Sequence, residues 1–205
     1  MNLVQYLDRR WKRRVGIVVA GRIVPLKRVA RMTELASLAL RHGKSLAATV
    51  RELSTAGFED YAEALAERRL LPPLDHEDPA HCLITGTGLT HLGSASGRDA
   101  MHAKLSGGEE NLSDSLKMFR MGLKDGKPAR GKAGVQPEWF YKGDGSWLVA
   151  PGGDLPQPGF ALDGGEEPEI AGLYFIGPKG QPRRLGFAIG NEYSDHVTER
   201  QNYLY

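Results

Sequence analysis

Apolar and polar positions alternate in two rhythms along this chain, and the change falls near Leu74. Before it the rhythm is mostly helical. Val29, Met32, Leu35, Ala36, Ala39 and Leu40 recur at three- and four-residue spacing, which predicts a helix over Val29–Leu40 with one apolar face, and His42-Gly43 supplies a stop. Ser45–Leu53 and Glu59–Arg69 predict two further amphipathic helices. Ahead of them Arg14–Val19 reads as a strand, turned by Ala20-Gly21-Arg22 into a return over Ile23–Leu26. Pro72-Pro73 closes the region, because proline lacks an N–H and restricts the residue before it. The first expected domain is therefore residues 1–74, a β-hairpin with helices.

Beyond it, over residues 75–205, the rhythm is short and strand-like, broken by glycine and proline. His81–Thr85, Glu138–Tyr141, Ser146–Val149, Glu169–Ile176 and Arg184–Ile189 predict strands. Pro178-Lys179-Gly180 is a turn signal that pairs the last two as a hairpin. One helix is expected over Ser113–Leu123, with Ser113 or Asp114 as its N-cap. The pattern gives an α+β chain. It ends on the apolar Asn202-Tyr203-Leu204-Tyr205, which reads as an unfinished sheet: a fragment of a longer protein, or a chain that needs a partner.

Composition narrows the class. With 205 residues, 40% hydrophobic and 25% charged, the chain falls in the globular range. A net charge of +2 makes no case for nucleic acid or an anionic membrane. No apolar run approaches the roughly 20 residues of a membrane span. The basic run Arg9, Arg10, Lys12, Arg13, Arg14 reads as a solvated end, and Met1–Arg14 is too polar for a signal peptide. The single Cys82 excludes an internal disulfide and fits a cytoplasmic location; within Cys82-Leu83-Ile84 it reads as a core thiol.

The chemistry concentrates in the acidic residues near the end. Glu167 and Glu169 sit two apart in a strand-like segment, so they project to one face. Asp195, in Glu192-Tyr193-Ser194-Asp195 one hairpin later, is expected to close the set from a neighbouring strand. Three converging carboxylates suit a hard divalent ion, Mg²⁺, Mn²⁺ or Ca²⁺. The bland alternative is an exposed turn beside Gly164-Gly165. Pro168 between the glutamates favours an edge position. Elsewhere, His102 follows Arg98 by four residues, and on a helix both would face one pocket. Gly86-Thr87-Gly88 is a partial glycine fingerprint, but no helix opens after it. Ser94 and Ser96 lack a nucleophile-elbow frame.

Several short motifs in order carry a resemblance. Pro137-Glu138-Trp139-Phe140-Tyr141-Lys142, then Ser146 and Pro151, then Glu167-x-Glu169, then Asp195 with Thr198, Arg200 and Gln201 resemble the ordered segments of the fumarylacetoacetate hydrolase family. Phe119-Arg120-Met121-Gly122, Gly134-Val135-Gln136-Pro137 and Thr198-Glu199-Arg200-Gln201-Asn202-Tyr203 are similar to its branch in bacterial sugar-acid catabolism, that of 2-keto-3-deoxy-arabonate dehydratases. The likeness spans about residues 85–205. Ser194 stands where the family has Asn, and His196 is an extra residue.

The resemblance implies an incomplete mixed β-roll core over residues 75–205, a divalent metal on Glu167, Glu169 and Asp195, a homodimer, and a small 2-oxo acid as substrate. It implies His102 as general base, positioned by Arg98, and Lys142 as a cation on the substrate side. Enolate chemistry at the keto carbon then gives a hydro-lyase acting on a 2-keto-3-deoxy sugar acid, or alternatively a C–C hydrolase of an acylpyruvate. A truncated, non-catalytic binding module is the competing reading.

Overall fold

The computed structural model describes residues 1–87, 117, 120, 121, 124, 128–135 and 139–201. The described chain holds both strands and helices, and its contacts divide it into two units: residues 1–79 with 147–205, and residues 80–146. This is a different division from 1–74 and 75–205. The composition changes near Leu74, but the polypeptide returns to the first unit from Trp147 onward.

The first unit contains a four-stranded antiparallel sheet in the order β1-β2-β3-β4: β1 (Asn2–Leu7), β2 (Arg13–Val19), β3 (Arg22–Pro25) and the two-residue β4 (Glu59–Asp60). Strand β1 is not among the expected elements; it precedes the basic run read as a solvated end, and Arg13 and Arg14 of that run begin β2. Strand β1 folds in because Gln5 is wholly buried with its amide satisfied. Gln5 Nε2 donates to Pro72 O (2.7 Å) and Asp75 Oδ1 (3.1 Å), and Oε1 accepts from Met32 N–H (2.7 Å). The outer edge of β1 is covered by the following chain, through Leu7 N–H to Arg69 O and Leu71 N–H to Gln5 O.

Helix α1 runs over Met32–Arg41, three residues later than the periodicity suggests. Gln5 takes its first N–H, and the Glu34 carboxylate accepts from Ala30 and Arg31 N–H. Helix α2 (Leu46–Leu53) is capped by Ser45. Helix α3 (Tyr61–Ala66) is shorter than expected, because Glu59–Asp60 pairs with β3 and Asp60 becomes the cap. Val15, Leu26, Val29, Met32, Leu35, Val50 and Leu53 form the main core, and Leu185 from a distant strand packs against it.

That distant strand belongs to a long hairpin, β7 (Gly165–Ile176) with β8 (Pro182–Ser194), closed by Gly180 at φ +77°. A bulge between Leu173 and Tyr174 leaves Leu185 as the extra residue on β8. One face carries Ile170, Tyr174, Phe187 and Ile189, all exposed, with Ile189 at 88%. The other carries Glu167, Leu173 and Phe175, each half-buried. A short helix, α4 (His196–Gln201), follows β8.

The second unit contains β5 (Leu83–Gly86) paired antiparallel with β6 (Phe140–Asp144). The strand expected at Ser146–Val149 is not formed. Asp144 accepts from both N–H and Oγ of Ser146, and Gly145–Trp147 becomes a single 3₁₀ turn. Lys117, Arg120, Met121 and Lys124, in and beside the expected helix at 113–123, are helical and exposed. Among the described residues no helix is long and apolar enough to cross a membrane.

Candidate metal centre

Glu167 and Glu169 lie two apart on β7 and share its inner face, as the strand repeat requires. Directly across the ladder from Glu167 stands Glu192 of β8. One carboxylate oxygen from each of these three residues lies within 4.8 Å of the others. Like charges set opposite in a ladder repel. Solvent screens that repulsion strongly at this exposure.

The donor chemistry fits a hard ion: three carboxylates, no nitrogen and no sulfur. Two oxygens on opposite sides of Ca²⁺ lie about 5 Å apart, and about 4 Å apart around Mg²⁺. Separations within 4.8 Å are compatible with the coordination shell of Ca²⁺ or Mg²⁺.

Asp195, expected as the third ligand, is not in this group. Both its oxygens are used to start α4. Oδ1 accepts from Val197 and Thr198 N–H (3.0 and 2.9 Å), while Oδ2 accepts from Thr198 Oγ1 (2.6 Å) and Leu162 N–H (2.7 Å). Desolvation pushes its carboxyl upward, but these four donors outweigh it and hold the pKa down at about 2. Glu192 stands beside Glu167 and Glu169 instead.

His196 enters the centre unannounced. Its Nε2 lies 2.8 Å from Glu167 Oε1, and its Nδ1 lies 3.6 Å from Asp163 Oδ2. Gly165 makes room for the ring: a Cβ there would come within 3.0 Å of three ring atoms. Gly164 does the same for Tyr193. The paired glycines that read as a loose turn are thus packing positions for two rings.

Of the other expected residues, Lys142 sits on β6 in the second unit, its Nζ 5.0 Å from the centre of the Phe140 ring. Arg98 and His102 lie outside the described residues. Comparison of the chain with protein-family profiles, with characterised proteins and with solved structures finds no match.

Proposed function

We propose that the chain is a divalent-metal-dependent hydro-lyase acting on a 2-keto-3-deoxy sugar acid. The observation that carries the proposal is the convergence of Glu167, Glu169 and Glu192 from two paired strands, with oxygen donors alone. The ordered motifs from Pro137 to Gln201 point to the same chemistry.

In this reading the three glutamates bind a cation, Mg²⁺, Mn²⁺ or Ca²⁺, which supplies Lewis-acid polarisation of the 2-oxo group when bound. The carboxylates hold that ion at an exposed strand edge, where a 2-oxo acid reaches it from solvent. Pro168, which has no N–H to give a further strand, keeps the edge open. The resemblance assigns the C3 proton to His102, with Arg98, and a substrate oxygen to Lys142; in the dehydration the C3 proton and the C4 hydroxyl leave together as water. General acid–base help of this kind is worth about 10²- to 10⁴-fold in rate.

The test is calorimetric titration with Mg²⁺, Mn²⁺ and Ca²⁺, followed by turnover of 2-keto-3-deoxy acids. Glu192→Gln is expected to weaken cation binding at least tenfold and to lower turnover with it. Product analysis should show an intact carbon skeleton, whereas two acids would mark a C–C hydrolase. Turnover that persists after exhaustive chelation excludes the reading.

A further inference from the structure

The turn between β1 and β2 carries a residue that its backbone does not call for. Arg9, Arg10 and Trp11 form a three-residue connection: Asp8 N–H donates to Lys12 O (2.9 Å), and Trp11 N–H returns to Asp8 O (2.8 Å). Loops of this length commonly close on a left-handed residue, where glycine is the usual choice because a Cβ is strained there. Here that position holds Trp11, at φ +59° and 67% exposed. Of the four non-glycine residues at positive φ among the described residues, it alone is aromatic. A large apolar ring kept in water on a strained backbone costs the folded state free energy rather than supplying it. Asp8 nevertheless braces the turn: Oδ1 accepts from Arg10 and Lys12 N–H (both 2.9 Å), and Oδ2 accepts from Arg14 Nε (3.0 Å).

Five cations lie between Arg9 and Arg14, and the structure divides them. Arg9 pairs with Glu63 (2.6 Å), Arg13 with Asp75 and Arg14 with Asp8. Arg10 and Lys12, exposed on either side of Trp11, have no side-chain ion pair among the described residues. An indole has an apolar body and a polar N–H, which suits it to the boundary between headgroups and acyl chains. Cations beside it are drawn to anionic headgroups. A nucleic-acid strand is gripped differently, in a groove where several rings stack on successive bases. A three-residue turn offers one ring. We infer that the β1–β2 turn is a docking surface for an anionic lipid bilayer: Trp11 enters the interface, and Arg10 and Lys12 meet the headgroups. The whole-chain charge of +2 makes no such case; the charge left unpaired around one exposed ring does.

The experiment is co-sedimentation of the full chain with vesicles of phosphatidylcholine and phosphatidylserine, against vesicles of phosphatidylcholine alone. Binding to the anionic vesicles only is expected. Arg10→Ala and Lys12→Ala should each lower partition about fivefold. Trp11→Gly should lower it roughly tenfold or more. Its melting temperature should equal or exceed that of the wild type, because glycine suits the turn. With Trp139→Phe and Trp147→Phe, Trp11 is the one remaining tryptophan, and its emission should shift to the blue on the anionic vesicles. Equal affinity for neutral vesicles, an unshifted emission, or undiminished binding by Trp11→Gly overturns the inference. So does retention on a single-stranded oligonucleotide in place of vesicles. None of these outcomes bears on the metal reading.

Discussion

Tyr6 shows how a single buried group sets the chemistry of the first unit. Its ring is fully buried between Ile23, Ala64 and Leu70, yet among the described residues its hydroxyl has no hydrogen-bond partner. Burial first, then the nearby charges of Glu59 and Asp8, push its pKa up to about 12. The neighbouring Arg69, also buried, is better served: it donates to Leu7 O, Glu59 and Glu67 at 2.7, 2.7 and 2.6 Å. An orphaned buried hydroxyl costs about 1 to 3 kcal/mol, and phenylalanine would fill the same space without it. Tyr6→Phe is therefore expected to leave stability at pH 7 unchanged or raise it by about 1 kcal/mol. The sign at high pH follows from the raised value. An unfolded tyrosine ionises near 10 and the folded one near 12, so wild-type stability is full below about pH 10 and declines as pH rises toward 12. The phenylalanine variant should lack that decline. Urea unfolding at pH 7 and pH 11 measures both; a variant less stable at pH 7 by 1 kcal/mol or more would show the hydroxyl to be paired.

At the scale of elements, what the sequence disclosed depended on whether the signal was local. Ser45 marks the start of α2, and Pro178-Lys179-Gly180 marks the tip of the long hairpin, because caps and turns are decided within a few residues. Strand β1 was hidden because Gln5, polar in the sequence, is buried through bonds to Pro72, Asp75 and Met32 that lie far along the chain. The candidate centre divides the same way. Glu167 and Glu169 share a face by the strand repeat alone. Their third member depends on register. Counted back from Ile176 opposite Pro182 without a bulge, Glu167 would face Asn191; the extra Leu185 moves Glu192 into that place. Asp195 looked like a ligand because an acid near a strand end and an N-cap acid are the same residue in sequence. Its role as a cap has its own consequence. With a folded pKa near 2 against the usual 3.8, its contribution is complete above about pH 4 and is lost as pH falls toward 2. Asp195→Asn should be less stable than wild type at pH 7, and the gap should close by pH 2. Acid unfolding followed by circular dichroism checks this, and a gap that persists at pH 2 would contradict it.

Across the whole first unit, the bulge at Leu185 links the site to the core. Among the described residues the outer face of the β7–β8 hairpin is exposed, and a two-stranded hairpin is marginal by itself. Its hold on the first unit includes Leu185, which packs against the core cluster that holds Val15, Leu26 and Leu35. Arg68 and Asp154 add a two-bond ion pair at 3.0 and 3.1 Å, but both are exposed and solvent screens the pair. The same extra residue thus anchors the hairpin and sets Glu192 opposite Glu167. Leu185→Ala keeps the bulge and weakens the anchor; for a half-buried leucine the loss is about 1 to 2 kcal/mol, near tenfold in local opening. Hydrogen exchange should then quicken about tenfold over residues 165–194 while residues 2–41 hold their protection. Deleting Leu185 removes the unpaired residue and leaves Glu192 opposite Glu167, so it should loosen the hairpin as Leu185→Ala does without changing which carboxylates face one another. Equal loss of protection in both segments would mean that hairpin and sheet open together, and the anchoring role of Leu185 would not stand.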